Sequence, residues 1–451
     1  MCAIFGISGD REASNLAYLG LHSLQHRGQE GAGIVSTDGQ EVFAHKQQGL
    51  VADVFSPESL AGLKGAAAIG HTRYSTAGGN TAAGLQPLLM KSSLGWLSIA
   101  HNGNLVNASK LSAELEQEGA IFQSSSDTEV ILHLLARSRE KDPEKALAVA
   151  LQRVEGAYSL LVLNHEKLIA IRDPHGFRPL VMGTLRGAPV FASETCAFDL
   201  IGAQYIREVE PGEMIVVPLA NPAAFRSLSP FAQKAPRKRC VFEYIYFARP
   251  DSLLYGERVH EMRKILGRQL ALEQPALDAD VVVPVPDSGV PAAIGFSQAS
   301  GIPFDIGIIR SHYVGRTFIE PQQSIRDFGV KLKLSPVRSV VENKNVVIVD
   351  DSLVRGTTSR KLIQHLRDAG AKKVHVRISA PPSTHSCFYG IDTPTRKELL
   401  ASHMTVEQIG QSIGADSLGY ISRKGLLEAA TRAAGEGFCD ACFSGEYPTP
   451  L

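Results

Sequence analysis

The chain reads as two units of different fold class. Residues 1–235 predict an α+β layered sandwich of sheets and helices, and residues 236–451 an α/β unit on a mainly parallel sheet. Three observations carry this division. The first half alternates short β-like runs (158–163, 168–171, 214–217) with turns, as half-buried strands do. The second half alternates strands with helices, and its run Val346-Val347-Ile348-Val349 shows no polar alternation, which marks a strand buried on both faces of a parallel sheet. Between the halves, residues 218–239 hold four prolines (218, 222, 230, 236) and the triplet Arg237-Lys238-Arg239, the composition of a linker ending in a solvated junction. A chain of 451 residues is also too long for one core.

Bulk composition excludes several function classes. The chain is 44% apolar and 20% charged, so it can bury substantial cores and is not disordered. Its 46 basic and 46 acidic residues cancel, and no basic block is long enough for a nucleic-acid footprint. No apolar run reaches membrane-spanning length. The start Met1-Cys2-Ala3-Ile4-Phe5-Gly6 lacks the basic region of a secretory signal. Six cysteines in so long a chain point to catalysis or metal rather than a disulfide scaffold, and the expected compartment is the cytoplasm.

The strand 346–349 ends on Asp350-Asp351, followed by Gly356-Thr357-Thr358-Ser359. A helix opens there, with Leu362, Ile363, Leu366 and Ala369 at helical spacing, until Gly370 ends it. Open α/β sheets hold ligands at the C-terminal ends of their strands. Free N–H groups and hydroxyls at a helix start suit a phosphate dianion. The carboxylates can hold sugar hydroxyls, Mg²⁺, or both. A plain alternative is a solvated Asp-Asp strand end with an ordinary cap, but Gly356, Thr357 and Thr358 all stand where a cap needs one. No Gly-Lys-Ser/Thr follows, so this is not a Walker A loop. The stretch resembles the signature of type I phosphoribosyltransferases, which bind 5-phosphoribosyl 1-diphosphate (PRPP). The resemblance implies that Gly356, Thr357 and Thr358 take the 5-phosphate and that Asp350 and Asp351 lie against the ribose hydroxyls.

Cys2 is notable for its position. Removal of Met1 would place a thiol and an α-amine of pKa about 7.7–8.0 on one residue, a nucleophile with its own base. Alone, it could equally be a buried strand residue. Four polar clusters follow: Leu24-Gln25-His26-Arg27-Gly28-Gln29-Glu30-Gly31, Gly70-His71-Thr72-Arg73-Tyr74-Ser75-Thr76, Ile99-Ala100-His101-Asn102-Gly103-Asn104-Leu105, and Ser124-Ser125-Ser126-Asp127-Thr128-Glu129 opening a helix at 128–138. Singly, His-Asn-Gly-Asn would pass as a hairpin and Ser-Asp-Thr-Glu as a capping box. In order and spacing, over residues 2–220, they resemble the glutaminase domain of N-terminal-nucleophile amidotransferases, a four-layer αββα sandwich. The resemblance implies Cys2 as nucleophile, and Asn102 with the Gly103 N–H as oxyanion hole. It gives Arg73 to the substrate α-carboxylate, Asp127 to the α-ammonium, and residues 74–80 with Gly78-Gly79 to a lid.

Asp173-Pro174-His175-Gly176 reads as a turn with a structural His, and Cys196 as an inert core thiol. In the second half, Val281-Val282-Val283-Pro284-Val285-Pro286 predicts a strand leading to Asp287-Ser288-Gly289 and a helix at about 290–300. After 306–309 comes a polar, basic stretch through Arg338, with Arg326, Lys331 and Lys333. It reads as a loop that closes on diphosphate and excludes water from a hydrolysis-prone ribosyl centre; the bland alternative is a solvated excursion. Cys240, Cys387, Cys439 and Cys442 include one C-x-x-C. Four thiolates could hold Zn²⁺ or an iron–sulfur cluster, and spacing alone leaves that open, as it does four unlinked thiols.

The combined order, with 246–252, 313–318 and 387–392 as further matching pieces, resembles the glutamine PRPP amidotransferase (amidophosphoribosyltransferase) family over the whole chain. It looks like that family's cluster-bearing branch, which implies a [4Fe–4S] centre on Cys240, Cys387, Cys439 and Cys442 and Mg²⁺ contacts from Ser288, Asp350 and Asp351. It further implies glutamine hydrolysis at Cys2, internal transfer of ammonia to PRPP, a homo-oligomer expected as a tetramer, and feedback by purine nucleotides. Two departures stand out. Only Met1 precedes Cys2, where many cluster-bearing relatives carry a propeptide, and Ser311-His312 replaces Asn-Arg. The rival readings are a glutaminase serving sugar-phosphate amination, and a regulatory protein that senses PRPP or nucleotides.

Overall fold

In the computed structural model, residues 2–74, 82–231, 235–311 and 334–451 are described. Residues 75–80 of the expected lid at 74–80 (with Gly78-Gly79), the segment 313–318, His312, and Arg326, Lys331 and Lys333 of the expected closing loop lie outside the described residues, as does Met1.

The first half forms two antiparallel sheets of seven and six strands stacked face to face. Period-two alternation sorts the side chains. On strand Ala3–Ser8, Ala3, Phe5 and Ile7 face an outer apolar layer, while Ile4 points between the sheets. On strand Gly156–Leu163, Tyr158, Leu160 and Val162 face the opposite outer layer, and Leu161 and Leu163 join Ile4 in the middle. Helix Ala13–Ser23 covers one outer face, and helices Ala108–Gln117, Asp127–Ala136 and Pro143–Leu151 the other. This is the expected four-layer sandwich.

The second half is a parallel sheet. Strand Val281–Pro284 pairs with Asn345–Asp350, that strand with Lys373–Ile378, and the last with Ser417–Tyr420. Val346, Val347, Ile348 and Val349 are all at most 2% exposed, so burial on both faces holds. Helices Val259–Glu273, Val290–Ser300 and Thr357–Asp368 contribute the apolar residues that close this core.

Some local readings are corrected. The stretch 218–239 is not all linker: Arg226–Leu228 adds an edge strand to the six-stranded sheet through Met214–Pro218. Arg239 is not solvated, because its Nη2 donates to the carbonyls of Ala434, Gly435 and Glu436 where helix Arg423–Ala434 ends, and its guanidinium lies over Tyr255 and Phe438. Cations suit that end of a helix. The strand from Val281 stops at Pro284, short of Pro286. Ser126 starts its helix without a side-chain cap, since Glu129 instead accepts from Gln123 N, Ser124 N and Ser124 Oγ. The His-Asn-Gly-Asn stretch is no hairpin: strand Gly95–Leu105 runs through it.

Candidate active sites

The Cys2 site is set by strand register. Ala3 stands opposite Thr72 on strand Ala67–Arg73, so Cys2 comes beside Arg73. The Cys2 Sγ–H points to the Tyr74 carbonyl at 3.6 Å. Across the sandwich, the His71 ring meets the His101 carbonyl at 3.1 Å, which brings the neighbouring Asn102 and Gly103 to the same end as Cys2 and Arg73. Burial, then the Arg73 charge, pull the His71 imidazole down to about 3, so it stays neutral and structural.

Asn102 is 1% exposed, and among the described residues neither its Nδ2 nor its Oδ1 has a hydrogen-bond partner. A buried amide left unsatisfied is costly, and such a group signals a ligand. Gly103 is obligatory for space: a Cβ there would stand 2.0 Å from the Ala157 carbonyl oxygen. Arg73 is buried, and Nη1 donates to the Gly84 carbonyl. Asp127 keeps one face toward solvent while its Oδ2 accepts from Leu105 N at 2.9 Å. Next to it opens a cavity of about 720 Å³ that reaches Asn104, Ser124, Phe388 and Leu451. Neighbouring polar groups are held to one another: His101 Nδ1 meets Thr128 Oγ1 at 2.9 Å, and His101 N donates to Gln86 Oε1 at 2.7 Å.

The second site lies at the C-terminal edge of the parallel sheet, where the register Pro284↔Val349 puts the loops after both strands side by side. Asp351 is 5% exposed and accepts from the Ser352 hydroxyl at 2.5 Å and from the Ser288 hydroxyl. Ser288, Asp350 and Asp351 are thereby brought together. Burial first, and then the charge of Asp351, push the Asp350 carboxyl well above the usual carboxylate range. Burial likewise raises Asp351, opposed by Ser288, Ser352 and Arg263. Such a pair accommodates a cation readily. Gly356 takes φ +69° at the helix start, where a side chain would strain the backbone and a Cβ would meet Leu400 at 2.7 Å. No side chain caps this helix. Thr357 and Thr358 are exposed, so their hydroxyls and the first N–H groups face outward, toward an anion.

The four cysteines converge from distant sequence. Cys240 and Cys439 are register partners on a two-stranded parallel ladder, and Cys387 Sγ accepts from Tyr389 N at 3.3 Å. Burial pushes the Cys240 thiol up to about 11, and lifts Cys439 and Cys442 further, with the neighbouring thiols adding to each. Among the described residues, no group of three or more His, Cys, Asp or Glu side chains forms a ready-made site for a metal ion. The segment bearing Cys387 also braces the first site: Asn104 Nδ2 donates to the Phe388 carbonyl at 2.9 Å, Tyr389 stacks on Phe177 with centroids 4.2 Å apart, and Gly390 abuts Gly103. Cys196 is buried, its thiol pushed up to about 12 by burial, as expected of an inert core residue. His175 is structural, its Nδ1 meeting the Pro236 carbonyl at 2.9 Å.

Sequence reasoning missed a buried ionic junction between the halves. Arg27 grips Glu243 in bidentate fashion at 2.7 and 2.9 Å and also pairs with Glu194. Arg178 joins Glu243, and His26 joins Glu194 at 2.8 Å. Glu194 further accepts from Arg249 N and Ser252 Oγ, both at 2.8 Å. The side chains of Arg27, Arg178, Glu194 and Glu243 are 0% exposed, two cations against two anions, which is the only way such charges stay buried. Burial opposes the charge on Glu194, yet His26 and Arg27 hold its carboxyl below the usual range. Arg27 Nε also donates to the Cys2 carbonyl at 3.2 Å, so the junction touches the Cys2 backbone. Its one sequence cue was Arg27 inside a motif before an apolar strand.

The comparisons with known proteins agree with this geometry. Residues 71–199 match the model of a glutamine amidotransferase domain, and residues 268–385 that of a phosphoribosyl transferase domain. The chain is 53% identical over 454 residues to the amidophosphoribosyltransferase of Bacillus subtilis, covering 100% of this chain and 94% of that one. A solved structure of glutamine PRPP amidotransferase from B. subtilis, in complex with ADP and GMP, superposes with TM-score 0.93 at 52% identity, covering 100% of this chain and 98% of that one. A second, described as the allosteric regulatory enzyme of purine biosynthesis, gives TM-score 0.94 at 52% identity over 100% of this chain and 96% of that one.

Proposed function

The chain belongs to the amidophosphoribosyltransferase family, and from that premise we propose how its two sites divide one reaction that opens purine biosynthesis. With Met1 removed, the Cys2 α-amine takes the thiol proton, and the thiolate attacks the glutamine side-chain carbonyl. Arg73 holds the substrate carboxylate with its fork of donors, and Asp127 the ammonium. The developing oxyanion is met by Asn102 Nδ2 and the Gly103 N–H, where one donor supplies about 2.7–4 kcal/mol. The C–N bond breaks, ammonia leaves, and water releases glutamate from the thioester. Ammonia then attacks C1 of PRPP, diphosphate departs, and 5-phosphoribosylamine forms.

At the second site, the Gly356-Thr357-Thr358 turn holds the 5-phosphate, and Asp350 and Asp351 orient the ribose hydroxyls. Ser288, Asp350 and Asp351 would hold Mg²⁺, which would supply charge neutralisation for the diphosphate leaving group. The raised carboxyls of the acidic pair support this assignment, since two adjacent like charges favour a bound cation. Cys240, Cys387, Cys439 and Cys442 would hold the [4Fe–4S] cluster of the cluster-bearing branch, which would supply a covalent staple. Cys240, Cys439 and Cys442 are raised by burial and by the neighbouring thiols, which supports that fit, because thiolates there need a compensating cationic centre. The domain division at 235/236, a tetrameric assembly, a cytoplasmic location and inhibition by purine nucleotides complete the reading; the ADP and GMP of the B. subtilis relative support the last.

The observation that carries the reading is the buried Asn102 amide, unpartnered among the described residues, at the Cys2 end of a chain whose other half ends a buried strand in Asp350-Asp351 and a Gly-Thr-Thr turn. Cys2→Ala with glutamine or ammonia as nitrogen donor tests it. Glutamine-dependent synthesis should vanish while ammonia-dependent synthesis persists; equal loss of both would remove the two-site reading.

A further inference from the structure

Residues 84–87 touch both sheets of the first half. From the seven-stranded sheet, Arg73 Nη1 donates to the Gly84 carbonyl, and Lys46 Nζ to the Leu85 carbonyl at 2.9 Å. The buried Gln86 side chain turns instead to the six-stranded sheet and to helix Asp127–Ala136. Its Oε1 accepts from the His101 backbone N at 2.7 Å, on strand Gly95–Leu105. A backbone N–H only donates, so this contact orients the amide and leaves Nε2 in need of an acceptor. That acceptor is the Thr128 hydroxyl at 3.1 Å, which donates in turn to Asp127 Oδ1 at 3.3 Å. Asp127 Oδ2 accepts from Leu105 N at 2.9 Å. The strand is therefore tied to Asp127 on both sides of Asn102-Gly103: directly at Leu105, and at His101 through Gln86 and Thr128.

We propose that Gln86 is a positioning residue for glutamine hydrolysis, holding the Asn102-Gly103 oxyanion hole and the Asp127 carboxylate at the span of one substrate molecule. This deepens the reading of the Cys2 site and rests on it. Gln86 acts only through His101 and Thr128, on which both ends of its amide are spent. Without it, the buried His101 N–H loses its acceptor, which is costly enough to make the strand shift. Glutamine joins its α-ammonium to its side-chain carbonyl through bonds of fixed length. Once the two ends of the site part, Arg73 and Asp127 still hold the substrate, but its carbonyl no longer meets Asn102 Nδ2 and the Gly103 N–H. The first contacts belong to the bound ground state, and the second count once the oxyanion forms. Loosening the span therefore lowers kcat and leaves KM nearly unchanged. A displacement of about 1 Å costs about 10²-fold.

The test uses the full chain with Mg²⁺ and PRPP and reads glutamate release against glutamine concentration, with ammonia-dependent synthesis measured alongside. Gln86→Met keeps the length of the side chain and removes both hydrogen bonds. Its kcat for glutamine should fall about 10²-fold, with KM within about threefold and ammonia-dependent synthesis within about twofold of the parent. Thr128→Val cuts the same link, should behave alike, and decides alone if Gln86→Met does not fold. Thr128→Ser keeps the hydroxyl and should hold kcat within about threefold of the parent. The double variant Gln86→Met with Thr128→Val should be no slower than the slower single one, because both break one link, whereas independent packing defects multiply. A parent-like kcat in either folded single variant overturns the proposal, as does a raised KM with kcat unchanged. So does a Thr128→Ser protein as slow as Thr128→Val, or a double variant whose losses multiply. Absence of glutamate release by the parent would instead remove the reading of the Cys2 site itself.

Discussion

At the Cys2 end the protein buries a neutral amide that has no partner among the described residues, whereas at the Asp350 end it sets a half-buried carboxyl beside a buried one. On the proposed reading, the first arrangement waits for negative charge that appears only as the carbonyl is attacked, and the second for positive charge that arrives with the ligand. A neutral donor can be held ready at modest expense in stability, but a like-charged pair destabilises the empty protein. The two centres therefore respond differently to substitution, and that difference can be measured.

The largest effect is expected from Cys2→Ala, which should abolish glutamine-dependent synthesis and spare the ammonia-dependent rate. Next is the junction that binds the two halves. Glu243→Ala leaves Arg27 and Arg178 buried without their shared partner, which should destabilise by about 3–5 kcal/mol in denaturant unfolding. Glu194 adds a pH signature there. Its carboxyl lies below the usual range, so its stabilisation is present above the unfolded pKa of about 4.3 and is lost as pH falls below it. Melting temperature should therefore drop in acid, and less so in Glu194→Gln. Asn102→Ala should lower glutamine-dependent kcat about 10²–10³-fold with little change in KM and none in the ammonia reaction, since the oxyanion exists only during attack.

The smallest effect has the opposite sign. Asp350→Asn should weaken PRPP use yet raise the melting temperature of the empty protein. The Asp350 carboxyl is pushed up, so its penalty is absent below the unfolded pKa and grows as pH rises through the folded one. The gap between variant and parent should widen from pH 4 to pH 8 and shrink when Mg²⁺ and PRPP are added. A variant less stable than the parent at pH 8 would mean that the pair is not in conflict.

The two centres also differ in how far they could be read before any fold was known. Asp350, Asp351, Gly356, Thr357 and Thr358 lie within nine consecutive residues, and an apolar run, an acidic end and a small-residue turn are local signals. The Cys2 centre draws on residues 2, 73, 102, 103 and 127, legible only through their order and family resemblance. The junction was not legible at all. Arg27 and Glu243 are 216 positions apart, and nothing in either neighbourhood states that the other will neutralise it. Arg239 was misjudged for the same reason: a charged triplet before a new unit suggests solvent, but the carbonyls it caps belong to a helix some 195 positions on.

By itself the sequence determined where strands are buried on one face or two, which turn can cradle a phosphate, and which residue types each reaction needs, because these follow from side-chain period, backbone freedom and donor chemistry within a few neighbours. Only the tertiary structure decided that Ser288 meets Asp351, that four scattered thiols come near one another, that Asn102 is left without a partner among the described residues, and that two arginines and two glutamates lock the halves together. Electrostatic pairing and desolvation depend on distance in space, and no local pattern of residues encodes which distant charge will arrive.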